Sequence, residues 1–184
     1  MWELLIIGTI VIVAVVMYNS LVRLRETADG AWADIDVQLK RRYDLIPNLV
    51  ETVKGYASHE KETLESVVQA RSNAMGAQGP AAKAQAEGML AGALKSLFAL
   101  SEAYPELQAA AGFRDLQGTL SEIEEQVAQA RRYYNAVVRD FNTKTQTFPS
   151  VLIAKSFGFT EREFFEIAEA EKAVPKVDFS DDDD

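Results

Sequence analysis

Between Glu3 and Arg23 the chain runs 19 residues without a charge, LLIIGTIVIVAVVMYNSLV, and Leu4 to Met17 is almost wholly aliphatic. At about 1.5 Å of rise per helical residue this stretch is ~28 Å long, the thickness of a bilayer core. Trp2 and Tyr18 stand near its two ends, where aromatic belts form. A cleaved signal peptide would start with positive charge and end in small residues before a cleavage point. Here Glu3 opens the run, and MYNSLVRLR closes it with no such site. A buried helix of a soluble protein is the other alternative, and the uniform Ile/Val content argues against it. The expectation is an uncleaved transmembrane anchor over residues 1–22, with residues 4–22 in the membrane. Arg23 and Arg25 flank its C-terminal side, followed by Lys40, Arg41 and Arg42, while the N-terminal side carries no Lys or Arg. By the positive-inside rule the bulk of the chain is expected in the cytoplasm.

Beyond the anchor the apolar residues recur in steps of three and four: Leu21, Leu24, Ala28, Trp32, Ile35, Leu39, then Tyr43, Ile46, Val50, Val53, Ala57. That is one stripe on a helix. No Gly-Pro punctuation separates it from the anchor, so the anchor is expected to continue into the first helix of the body. Pro47 falls inside the stripe and predicts a kink near Leu45–Ile46. Gly55 and Ser58 suggest a break beside the single histidine, His59, with Ser58 as cap of the next helix. MGAQGP, residues 75–80, reads as a loop with Pro80 at the first position of a following Ala-rich helix. Tyr104-Pro105 ends that helix. Leu116, Leu120, Ile123, Val127, Ala130, Tyr134, Val137 and Phe141 then repeat in heptad fashion until Phe148-Pro149. Thr160 with Glu163, and Phe159 with Phe164, form a capping box and a hydrophobic staple, predicting a short acidic helix to about Lys172. Pro175 and the DDDD end predict a loose tail. No strand-period run is present. The body is expected to be all-α, a bundle of about four helices over residues 23–159, with the acidic helix and tail over 160–184.

The chemistry that composition permits is narrow. The chain has no Cys and one His, which removes disulfides, thiolate zinc sites, cysteine nucleophiles and any site needing two imidazoles. Its net charge of −9 argues against nucleic acid as a partner. Residues 160–184 carry 10 acidic and 3 basic residues, so most of that charge sits in the tail. The Glu-x-x-His signature of di-metal bundles, phosphate-binding glycine loops and the serine elbow are all missing. An enzyme is not expected, and no cofactor or metal is called for.

What remains is a pair of basic segments, Arg41-Arg42-Tyr43-Asp44 and Arg131-Arg132-Tyr133-Tyr134-Asn135. In the plainest reading they pair along their own helix, since Asp36 and Asp44 flank Lys40 at four residues, and their stems cover apolar surface. In the functional reading these nine residues form a surface that docks a protein partner, because Arg and Tyr are enriched at binding hot spots.

Four blocks carry a resemblance: YNSLVRLR, QLKRRYDLIPNLVETVKGYASHEK, ARRYYNAVVRDFNTKTQTFPS and FGFTEREFFEI. Together, over residues 18–168, they resemble the LemA family of bacterial membrane proteins. The resemblance implies one N-terminal transmembrane helix and an antiparallel helical bundle, and it brings no catalytic residues with it. Such proteins are discussed with other envelope membrane proteins. The leading expectation is therefore a non-enzymatic scaffold or adaptor, anchored in the bacterial inner membrane and self-associating as a homo-oligomer or binding other envelope membrane proteins. The alternatives are an accessory or sensor subunit of a membrane enzyme such as an envelope protease, and a hydrolase with an unfamiliar carboxylate site.

Overall fold

A computed structural model describes residues 2–166 of the chain. The first helix, α1 (Trp2–Tyr56), runs unbroken from the apolar run into the body, as the missing punctuation predicts. Its first part is exposed: Leu4 to Val16 present their side chains outward, and nothing among the described residues covers them. That stretch is long and apolar enough to cross a membrane. From Leu21 onward the same helix is buried along one stripe through Ala28, Ile35, Leu39, Ile46 and Val53.

The remaining elements assemble around this second part. Residues 57–60 turn the chain into α2 (Lys61–Gly76), and residues 77–79 turn it back into α3 (Pro80–Ser101). Gly79, at φ +78°, makes the tight entry, and Pro80 holds the first position of α3, as its missing N–H suits. The expected cap at Ser58 is not there: α2 starts after Glu60 with no side-chain cap. A single turn, α4 (Pro105–Ala109), separates α3 from α5 (Ala111–Gln146). Helix α5 lies antiparallel to α1: Lys144 meets Ser20, Tyr134 stacks on Trp32, and Arg42 reaches Glu124. Its heptad stripe is buried at Leu120, Ile123, Val127, Tyr134, Val137 and Phe141. The described residues contain helices and no strand.

After Phe148-Pro149 comes a short helix the periodicity does not announce, α6 (Ser150–Ser156). It ends in a Schellman-type turn, with Phe159 N–H on the Ala154 carbonyl at 2.9 Å and Gly158 at φ +72°. Two cores result. The larger joins α1, α2, α3 and α5. The smaller, Leu21, Phe141 and Ala154 with Leu24, Ile153 and Phe159 around them, sits where α1 leaves its exposed stretch.

The acidic helix expected from Thr160 is corrected in its first turns: residues 160–166 are not helical. Side-chain docking outcompetes the capping box, because both ends of this segment are held by α5, as described below. The rest of the expected helix to Lys172 and the tail beyond it lie outside the described residues.

Candidate functional site

Pro47 sets the local problem from which the buried polar cluster is built. A proline inside a helix donates no N–H, so the carbonyl four residues earlier, that of Tyr43, loses its helical partner. Arg71 of α2 fills the gap, donating from Nε to the Tyr43 carbonyl at 2.7 Å. The end of α2 poses a similar problem, since its last carbonyls have no helical donors. The Ala74 carbonyl accepts from Lys83 Nζ of α3 at 3.3 Å and lies 3.4 Å from the Tyr43 hydroxyl.

Glu87 ties these groups together from the middle of α3. Arg42 Nη1 donates to Glu87 Oε2 at 3.0 Å, and Arg42 Nη2 meets Glu124 of α5 at 3.1 Å. The Tyr43 hydroxyl donates to the other oxygen of Glu87. Arg42, Tyr43, Lys83 and Glu87 are all buried, and Arg42 Nε is buried without a hydrogen-bond partner. Burial pushes the Glu87 carboxyl above its ordinary value, against the pull of the Tyr43 hydroxyl and the Arg42 and Lys83 charges. Burial, reinforced by the bond to Glu87, raises Tyr43 well beyond the usual tyrosine range, so it stays a donor. A groove of about 750 Å³ between α3 and α5 opens beside this cluster, lined by Lys95, Phe98, Arg114 and Gln117 with Arg42 and Glu124 at its side. Its side chains offer charge and hydrogen bonds but no nucleophile paired with a base.

The second basic segment does different work. Beyond the turn at Gly158, residues 159–166, neither helix nor strand, lie against α1 and α5 as a strap. Asn142 donates from Nδ2 to the Arg162 carbonyl and accepts the Arg162 N–H at Oδ1, both at 2.9 Å. Asn135 holds Phe165 the same way, at 3.0 and 2.9 Å. Each asparagine thus pairs both backbone groups of one residue, as a neighbouring strand would. The spacing explains why two fit: seven helical residues rise ~10.5 Å, and three extended residues cover about 10 Å. Tyr134 donates to the Glu163 carbonyl at 2.9 Å, Arg131 lies 4.6 Å over the Phe165 ring, and Phe165 packs on Trp32. Arg162 returns to α1, on Asp29 and on the Arg25 carbonyl.

The nine residues singled out in the sequence therefore divide. Arg42, Tyr43 and Tyr134 are buried and spend their polar atoms on contacts within the body. Asn135 and Arg131 engage the strap. Arg41, Asp44, Arg132 and Tyr133 face outward, with Asp44 paired to Lys40 and Arg41 3.5 Å from Gln38. The two segments do not share one face level: Arg42 stands opposite Glu124 and Tyr134 opposite Trp32, roughly 15 Å apart along the helices. Sequence reasoning missed Glu87, Lys83, Arg71 and Asn142. Asn135 and Asn142 carried a signal, two amides one heptad apart on an apolar helix; Glu87, in an Ala-rich stretch without recognisable pattern, carried almost none. His59 lies exposed in the α1–α2 turn. Among the described residues no group of three or more His, Asp or Glu is placed to hold a metal ion.

The family model of the LemA family matches residues 31–179. The magnetosome protein MamQ of Magnetospirillum gryphiswaldense is 26% identical over 174 residues, covering 80% of this chain and 64% of that protein. Magnetosome protein MamQ 2 of Paramagnetospirillum magneticum is 25% identical over 175 residues, covering 81% and 64%. The chain thus spans somewhat under two thirds of the length of these relatives. Protein LemA of Metamycoplasma hominis is 27% identical over 173 residues, covering 92% of this chain and 78% of that protein.

Proposed function

The chain belongs to the LemA family, and from that premise we propose that it is a non-enzymatic scaffold or adaptor, anchored by residues 4–22 in the inner membrane of the bacterial envelope and self-associating. The observation that carries the reading is the continuity of α1. One helix presents an exposed aliphatic stretch suited to lipid and then forms the spine on which α2, α3 and α5 pack. A chain so built displays a helical body at a fixed place beside a bilayer. The polar residues with catalytic potential are consumed in support of that body: Glu87 is shared by Arg42 and Tyr43, and Arg71 repairs the gap left by Pro47. Arg23 and Arg25, just past the apolar stretch, favour a cytoplasmic body. The outward residues Arg41, Asp44, Arg132 and Tyr133 remain as the surface for a second copy or for another envelope membrane protein.

A photo-crosslinking residue at Tyr133, with a second at Arg41, tests this in native membranes. A ladder of the chain with itself is the expected product. A single foreign membrane protein in its place would replace the scaffold reading with that of an accessory or sensor subunit. Uncrosslinked monomer at both positions would refute self-association and partner docking at these faces alike.

A further inference from the structure

We propose that the corner between α5 and α6 is a second membrane contact, which inserts its exposed apolar side chains into the interfacial layer of the leaflet from which α1 emerges. The proposal rests on residues 4–22 being the anchor. Its geometry comes from where the corner touches α1. Phe157 packs on Tyr18 with ring centroids 4.8 Å apart, Lys144 bonds Ser20, and Phe141 and Ala154 share a core with Leu21. All three α1 residues precede Arg23, the first charge after the apolar run. Tyr18 lies five residues before it, so the corner reaches ~7 Å inside the end of the uncharged stretch. That is the depth at which interfacial helices lie, between headgroups and acyl chains.

The side chains there suit that depth. Phe148 is 80% exposed, Phe157 62% and Leu152 58%, the two phenylalanines being more open than the exposed tyrosines of the body, Tyr56 and Tyr133. Three large apolar side chains within ten residues are thus left open to water. Beside a bilayer they would each bury apolar area. The charge pattern agrees from an independent direction. The chain carries 28 acidic residues, yet none falls between Asp140 and Glu161, while Lys144 and Lys155 do. Lysines near lipid phosphates with no acid beside them are what an anionic leaflet favours. The strap leaves this corner at Gly158, so its first residues are set at the membrane surface as well.

The absence of cysteine makes the test direct, since a single introduced thiol is the sole label site. Full-length Leu152→Cys, Ile10→Cys and Val37→Cys variants, each nitroxide-labelled, are placed in nanodiscs of phosphatidylethanolamine and phosphatidylglycerol. Collision with oxygen, which partitions into lipid, is compared with collision with a water-soluble nickel chelate. Leu152 is exposed, so its replacement leaves the fold intact. The expected result is an oxygen-to-nickel ratio at position 152 several-fold above that at 37 and below that at 10. A ratio at 152 equal to that at 37, with 10 in lipid, would overturn the proposal and leave the anchor standing. Shielding of 152 from both reagents would overturn it too, by showing a protein contact instead. A water-like ratio at position 10 would remove the anchor and the proposal together.

Discussion

Replacing Asn135 and Asn142 with alanine should release the strap while leaving the helices in place. Each asparagine makes two hydrogen bonds of 2.9 to 3.0 Å to one strap residue, Phe165 or Arg162. A hydrogen bond that is exchanged for water on opening is worth about 1 kcal/mol net, so each asparagine contributes ~2 kcal/mol to keeping the strap closed. In amide exchange, ~2 kcal/mol corresponds to a roughly 30-fold loss of protection. The single variants Asn135→Ala and Asn142→Ala should each show that loss at the amide they clamp, Phe165 or Arg162. The double variant should lose more than either, until the aromatic contacts of Phe165 with Trp32 and Arg131 set the floor. Amides of α5 between Leu120 and Val138 serve as internal reference, because their bonds are helical. Unchanged exchange at Arg162 and Phe165 in the double variant would refute the argument, since it would mean that the rings and the Arg162–Asp29 pair hold the strap without the amides.

Three further outcomes follow from the buried cluster. Glu87→Ala leaves the buried Arg42 guanidinium with Glu124 alone and takes the carboxylate from the Tyr43 hydroxyl, and it should cost about 3 kcal/mol in urea unfolding, whereas the apolar pair Arg42→Met with Glu87→Leu should recover most of it. Glu87 holds its proton in the folded chain to a higher pH than its ordinary 4.5. The folded state therefore binds more protons than the unfolded one just above that value, and stability should fall as pH rises through the window. Glu87→Gln should flatten that slope, and a wild-type slope of the opposite sign would contradict the assignment. Arg71→Ala should cost ~2 kcal/mol in the natural chain but distinctly less beside Pro47→Ala, where a restored N–H satisfies Tyr43; additive effects in that double-mutant cycle would break the link between the proline and the arginine.

What was readable in advance was set by period and punctuation. The stripes on α1 and α5, the loop before Pro80 and the unbroken passage from apolar run to body all follow from local spacing, and the structure shows them. The missed features depend on partners far away in sequence. Arg42 and Tyr43 look like a basic surface until Glu87, more than forty residues on, is brought between them. The start of a helix at Thr160 satisfies every local rule, yet residues 160–166 spend their backbone groups on Asn142, Tyr134 and Asn135 instead. Capping and staple contacts are worth about a kilocalorie each, and a docked strap with four amide bonds and two buried ring contacts exceeds them.

If the apolar stretch is the anchor proposed above, the unbroken α1 makes the protein a lever with its short arm in lipid. Under the anchored reading, the arm beyond Arg23 extends about 50 Å to Tyr56 and carries the helical body with it. A bilayer ~2 Å thinner than the ~28 Å apolar stretch, accommodated wholly by tilting, inclines the helix by roughly 22°. The far tip then sweeps about 19 Å sideways. Bilayer thickness is thereby converted into a lateral displacement several times larger, delivered at the α1–α2 turn, the part of the body farthest from the membrane.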